Sequence, residues 1–234
     1  MGRIKICVLL LSAAVVFVIS CCYWLGSSRA AVEDSISASA NKNPYSIFVD
    51  VETSVLTVFK DGEIYKEYDC AGGKLSTPSP VGTWTIISKD VWGEGFGGRW
   101  MGFNVPWGKF GIHGTIYKGV IGWNSSHGCI RMNNWDVAEL YKYIPHGTKV
   151  TIADGVYGVF GRGFRNIKPG MYGADVMEIQ KRLRELGYFS GYANGLYEDT
   201  LKTAVHKYQK DKKMQVTNTI TPHLIESLGF IQAD

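Results

Sequence analysis

The sequence predicts a mainly β domain, then a small all-α module of three helices, with an apolar segment directed to a membrane ahead of both. Three observations carry this. Residues 45–153 are filled by β-branched runs punctuated by turn signals, residues 169–231 switch to helical periodicity, and Ile6 to Leu25 contains no charge. Hydrophobic content of 45% with 20% charged residues is ordinary for a globular chain, so disorder is not the default.

The N-terminus reads MGRIK over residues 1–5, a basic stretch that precedes the apolar run 6–25. As a helix rising about 1.5 Å per residue, that run spans the roughly 30 Å hydrocarbon core of a bilayer. Basic residues before it put the bulk of the chain outside the cytoplasm. Three readings stand. A signal anchor suits the length of the run, whereas a cleaved signal suits Ser28-Arg29-Ala30. Lipidation at Cys21 suits Val18-Ile19-Ser20-Cys21, though the apolar Cys22-Tyr23-Trp24-Leu25 that follows counts against it. Arg3, Lys5 and Arg29 supply most of the formal net charge of +4, and no acid precedes Glu33. The exported remainder is nearly neutral, which speaks against a nucleic-acid partner.

Residues 26–44, rich in Ser, Ala and Asn and ending at Pro44, suit a flexible tether. Strands are then expected at SIFVDV and SVLTVFK, and Asp61-Gly62 between VLTVFK and EIYKEY predicts a tight hairpin. GTWTIIS and TKVTIA add further strands. The intervening VWGEGFGGRWMGFNVPWG has little periodicity and reads as a long loop of the kind that forms lids. Val137, Leu140, Tyr141 and Ile144 space out one helix, with Asn133 or Asn134 as its N-cap. A Gly-rich linker, 154–168, leads to the last module. Its first helix carries Val176, Ile179, Leu183 and Leu186, with Asp175 and Glu178 as a capping pair and Gly187 as its stop. Its second carries Leu201, Ala204, Val205 and Tyr208. Its third opens on Thr221-Pro222 and carries Leu224, Ile225 and Leu228.

Three of the five cysteines lie in the apolar segment, so the exported part keeps only Cys70 and Cys129. Two are too few for a disulfide framework; they pair with each other or both stay free. Cys129 sits in SSHGCIRM, two residues after His127 and two before Arg131. The thiolate is the attacking form, and a nearby imidazole together with the coming helix start is expected to lower the thiol pKa. Gly128 permits a tight turn with free backbone N–H groups for an oxyanion. Upstream, His113-Gly114 ends a strand in GIHGT, so a base and a nucleophile can meet across the fold. His113, His127 and Cys129 also have the donor types of a zinc site, but no carboxylate motif of a zinc peptidase accompanies them. Cys70, in EYDCAGG, has no such context and reads as structural. His146 reads as a turn residue, and His206 and His223 as surface positions of the helical module.

FGIHGT, then GWNSSHGCIRM, a short helix and GTKVTI resemble, in that order, the catalytic domain of bacterial L,D-transpeptidases, and STPSPVGTWTI is similar to the family's TP-x-G stretch. The resemblance covers residues 45–153 and implies a β-sandwich-like domain with a short helix. It implies that Cys129 attacks the bond between the third and fourth residues of a peptidoglycan stem peptide, releasing D-Ala. The acyl group then passes to the side-chain amine of a diamino acid on a neighbouring stem. His113 would be base and acid, oriented by the Gly114 carbonyl. The N–H groups of His127, Gly128 and Cys129 would form the oxyanion hole, with Ser126 supporting the network. Arg131 would hold a substrate carboxylate. Trp107 and Trp123 would contribute to substrate binding, and a carbapenem would acylate the same thiol.

The C-terminal stretch GMYGADVMEIQKRLRELGY…NGLYEDTLKTAVHKYQK resembles the common peptidoglycan-binding domain. It departs from that pattern at Asn194, where Asp is usual, and at TNTITPHL, the entry to the third helix. The resemblances imply action on stem peptides and glycan without metal or cofactor, and with the apolar run at 6–25 the expectation is a membrane-anchored monomer. Two rival functions remain: an L,D-carboxypeptidase with water as acceptor, and a wall-binding protein without turnover. A papain-like endopeptidase fits less well, because there the Cys precedes its His.

Overall fold

The computed structural model describes residues 43–232. The expected anchor at 6–25 lies outside them, as does most of the tether; among the described residues no helix is long and apolar enough to cross a membrane. Eight strands make up the first domain: β1 (Tyr45–Asp50), β2 (Val55–Lys60), β3 (Glu63–Ala71), β4 (Gly82–Asp90), β5 (Trp100–Phe103), β6 (Gly111–Gly114), β7 (Ile130–Met132) and β8 (Lys149–Ala153). They close in the order β1-β2-β3-β7-β6-β5-β4-β8. The expected sandwich-like domain is therefore a closed barrel. Two sheets are present, but β3 and β4 are long enough to run through both and join their edges.

The hairpin forms where expected. Asp61 and Gly62 both have positive φ, 53° and 87°, as a two-residue turn that matches strand twist requires. The expected long loop is interrupted by β5, WMGF, whose four residues are all buried. A strand covered on both faces has no polar alternation, so periodicity alone does not mark it. A 3-10 turn at Glu94–Phe96 precedes it. Helix α1 (Asn134–Tyr143) starts after Asn133, whose side chain donates to Asp136 instead of capping the helix. Val137 and Leu140 of α1, with Ile144 just beyond it, are fully buried against the barrel core built by Ile47, Leu56, Ile86, Met101, Ile112 and Ile130.

The second module packs α2 (Ala174–Glu185), α3 (Asp199–Asp211) and α4 (Pro222–Ser227) around Val176, Ile179, Leu183, Leu201, Tyr208 and Leu224. The expected capping pair at Asp175 and Glu178 is not what starts α2. Gly173 occupies the cap, while Asp175, inside the first turn, is held by both arms of Arg165 at 2.6 and 3.1 Å. Leu186, placed on the buried face by its spacing, ends the helix 40% exposed. Thr221 does cap α4, accepting from the Leu224 N–H with Pro222 in the first turn. Asn194 replaces the usual Asp without loss of its local bonds: its Oδ1 accepts from Gln180 Nε2 and from the Leu196 N–H.

Candidate active site

Strands β6 and β7 run parallel, with Ile112 opposite Ile130 and His113 opposite Arg131. Ile112, Ile130 and Met132 point into the core, so alternation puts Gly111, His113, Cys129 and Arg131 on the outer face. Extending the register by one places Cys129 level with Gly111. His113 is then two residues along the neighbouring strand, a diagonal of roughly 8 Å between Cα atoms; in this structure the Cys129 Sγ itself donates to the Lys109 carbonyl at 4.0 Å, on the other side of Gly111. Gly111 is small of necessity: a Cβ there would meet the Met101 carbonyl at 2.4 Å and the Trp100 ring at 2.9 Å.

The His113 ring is buried and fixed in its tautomer. Its Nδ1 lies 2.5 Å from the Gly114 carbonyl, which can only accept, so Nδ1 carries the proton. Nε2 is left as the bare acceptor. Phe96 packs edge-on against the ring at 5.0 Å, and Trp100 lies nearly parallel to it at 5.8 Å. Phe96 is delivered there by a glycine contact. Gly97, with φ of 62°, approaches Gly114 so closely that a Cβ on it would stand 2.6 Å from the Gly114 Cα and would collide with Asn134 Oδ1. That same Asn134 oxygen accepts from the Thr115 N–H.

Burial lowers the His113 pKa below the usual histidine range; the Gly114 carbonyl opposes this and Arg131 adds to it. Burial also pushes the Cys129 thiol upward, and a backbone bond from Gly111 and the charge of Arg131 only partly offset it. The expected lowering of the thiol pKa is thus reversed in the free protein. Burial works against charge on both groups.

The turn that carries Cys129 is stapled from within. Ser126, fully buried, donates its hydroxyl to the Cys129 carbonyl at 2.6 Å and accepts from the Gly128 N–H at 2.9 Å. The Gly128 N–H, expected in an oxyanion hole, is therefore engaged elsewhere. Among the described residues the N–H groups of His127 and Cys129 are left without a protein acceptor. Gly128 serves the turn by conformation instead: its φ is 109°, and a Cβ would strike the Phe110 ring at 2.6 Å. The TP-x-G stretch braces the same turn through the Thr77 hydroxyl, which donates to the Ser126 carbonyl, and the Lys74 N–H just ahead of that stretch donates to the same oxygen.

The family profiles point the same way. The profile of the YkuD family, the L,D-transpeptidase catalytic domain, matches residues 44–152, and that of a "Putative peptidoglycan binding domain" matches residues 172–228. The chain is 34% identical over 128 residues to the "Putative L,D-transpeptidase YqjB" of Bacillus subtilis (strain 168), covering 48% of this chain and 72% of that protein. This chain belongs to the L,D-transpeptidase family. It is also 40% identical over 110 residues to the "Putative L,D-transpeptidase YkuD" of the same strain, covering 47% of this chain and 66% of that protein, just under two thirds of its length. Among solved structures, it is similar to the Ldtfm-avibactam carbamoyl enzyme, with 28% identity and a TM-score of 0.43 over 48% of this chain and 50% of that one. An L,D-transpeptidase from Mycobacterium smegmatis gives 24% identity and a TM-score of 0.41 over 47% of this chain and 58% of that chain.

The remaining residues expected from the L,D-transpeptidase motifs are not gathered in one place. Arg131 lies beside the thiol and imidazole, with no carboxylate paired to it among the described residues. His127 is exposed at the turn, and Trp123 is 73% exposed on the preceding loop. Trp107 packs edge-on against Trp84 at 5.2 Å and lies against Gly195 of the helical module. Sequence reasoning missed Phe96 as an imidazole contact, Gly111 as the space beside the thiol, and Asn134 as the clamp behind Gly114. Their only sequence signals were a glycine-dense loop and an asparagine that doubled as a cap candidate.

Proposed function

We propose that this protein is an L,D-transpeptidase acting on peptidoglycan stem peptides. The observation that carries the reading is the His113 tautomer lock beside Cys129: Nδ1 donates to Gly114, so Nε2 is the one atom free to take the thiol proton. As the sulfur attacks the carbonyl of the third stem residue, the proton passes from Sγ to Nε2 and the oxyanion turns to the His127 and Cys129 N–H groups. The tetrahedral intermediate then expels D-Ala, whose amine takes the proton from His113, leaving a thioester. A diamino-acid side-chain amine attacks that thioester, loses a proton to Nε2, and releases the Cys129 thiol with a new amide crosslink. Arg131, lacking a protein carboxylate, suits the stem peptide's carboxylate. The apolar run at 6–25 supports tethering in the membrane with both modules facing the wall, and the second module supports binding of the same polymer.

The test is the intact mass of the protein after exposure to a stem tetrapeptide, followed by analysis of products. A covalent gain equal to the acylated tripeptide, absent in Cys129→Ala, with crosslinked dimers among the products, is expected. A gain that survives in Cys129→Ala overturns the reading, and tripeptide monomers alone would make water the acceptor.

A further inference from the structure

A cleft of about 320 Å³ separates the barrel from the helical module, away from the outer face of β6–β7. One wall is the 75–81 segment with Trp107; the other is the linker around Arg162 and Arg165 and the start of α2. The modules meet at Gly195, whose φ is 73° and whose missing Cβ leaves room for the Trp107 ring at 2.3 Å from that position. Such a volume falls at the lower end of small-ligand sites, roughly 300–1,000 Å³.

The chemistry of the lining selects the ligand. Four charged residues face the cleft, and they cancel in pairs: Arg162 with Asp154 at 2.9 Å, and Arg165 with Asp175 at 2.6 Å. No net charge is left to draw an ion, yet paired guanidinium and carboxylate groups still offer donors and acceptors to a neutral polar ligand. Half-exposed Tyr172 adds an aromatic surface, as does Trp107. Neutral hydroxyls and amides together with an apolar ring face are the features of an N-acetylated sugar. A stem peptide, with free carboxylates, is better matched by unpaired Arg131 beside the thiol.

The cleft is also wired to the nucleophile's turn. The Pro78 carbonyl on its wall abuts Gly128, at 3.0 Å from the position of a Cβ there, and Ser79 Oγ accepts from the Gly73 N–H. Gly73 in turn bridges to Ser126. We propose that this cleft binds the N-acetylated disaccharide to which the donor stem peptide is attached, so that the glycan is held between the two modules while its peptide reaches Cys129 over the 75–81 segment. The proposal rests on the transpeptidase reading for its substrate class, and its test separates the two.

The full chain would be assayed for acylation by a free stem tetrapeptide and by the same peptide carried on its disaccharide. The expected result is a KM lower by about tenfold for the disaccharide-linked donor, with kcat unchanged. In Tyr172→Ala that preference disappears while the constants for the free peptide stay within about twofold. Val81→Trp, which fills the cleft rather than emptying it, gives the same loss. Equal KM for both donors in the wild type overturns the proposal, as does a preference that survives both variants. So does one abolished only by substitutions in the separate groove around Arg182 and Tyr188. Absence of acylation by either donor would sink the transpeptidase reading instead. The cleft is then still read by titrating the peptide-free disaccharide, whose binding should be present in the wild type and absent in Tyr172→Ala; no binding to the wild type counts against the proposal.

Discussion

Cys70 and Cys129 sit on the opposite faces of one sheet and are treated in opposite ways. Cys70, at the end of β3 opposite Met132 of β7, faces inward and is fully buried; burial, with Asp69 and Asp50 adding to it, pushes its thiol up to about 12. Cys129, just ahead of β7, faces outward, is partly accessible, and has the Gly111 backbone and Arg131 working against the burial. Both are free, so no disulfide joins them. Burial alone raises a thiol pKa and makes it inert. The outer face differs in holding a base with one open nitrogen and an unpaired cation. That asymmetry, not an unusually acidic thiol, is what sets Cys129 apart as the proposed nucleophile.

The largest break in this comparison comes from its two central atoms. Cys129→Ala or His113→Ala should lower the acylation rate by about 10³–10⁶-fold, as removal of a nucleophile or its base does in hydrolases. The thermal midpoint of each variant should stay close to wild type, and a stopped-flow or mass-based acylation assay reads the loss. Residual turnover above about a hundredth of wild type in Cys129→Ala would mean that the outer-face thiol is not the nucleophile.

Next in size are the groups that hold the outer face in shape. Ser126→Ala leaves the buried Gly128 N–H and the Cys129 carbonyl without their partner. A cost of about 1–3 kcal/mol is expected in denaturant unfolding, with a fall in kcat. Gly97→Ala drives a methyl group into Asn134 Oδ1 and the Gly114 backbone at a positive φ, and should cost a similar about 1–3 kcal/mol. Its more specific signature is kinetic: Phe96 moves off the His113 ring, which loses its shielding, and the acid limb of the acylation profile moves up toward the ordinary histidine range. A profile that does not move would separate Phe96 from the tuning of His113.

The pH dependence of the wild type sharpens the comparison further. Because His113 titrates below its unfolded value, the neutral base is present down past about pH 6.5, so the acid limb of acylation should lie below that value. The sign for stability is the same. Between the folded and unfolded pKa the unfolded chain binds more protons, so stability falls as pH drops from about 6.5 through the folded value. Alkylation of Cys129 by iodoacetamide in the absence of substrate should rise only above the ordinary thiol range, and a plateau already reached at neutral pH would indicate a preformed ion pair.

Much of this was legible in the chain. Asp61-Gly62, Thr221-Pro222 and the spacing of Val137, Leu140 and Ile144 are local signals, and local structure obeys them. The pairing of His113 with a backbone carbonyl followed from a resemblance rather than from spacing. What stayed illegible depends on residues far apart in sequence. Strand β5 has no alternation because both its faces are covered. Asp175 looks like a cap until Arg165, ten positions earlier, takes both its oxygens. The raised thiol pKa depends on how deeply a turn is buried, which no motif encodes.

The smallest expected effect lies on the inner face. Cys70→Ala removes one buried sulfur from a packed core, where the surrounding side chains of β3 and β7 keep their places. A loss of about 1 kcal/mol in unfolding free energy follows from the lost apolar area and the small void left behind. Acylation should be unchanged, because Cys70 lies on the far side of the sheet from His113 and donates nothing to the outer face. Peptide mapping after alkylation of the native protein should likewise label Cys129 and leave Cys70 unmodified until denaturant is added. Labelling of both at equal rates, or an acylation defect in Cys70→Ala exceeding its stability loss, would show that the two faces communicate. The contrast between an inert and a reactive thiol would then need a cause other than which side of β7 each one faces.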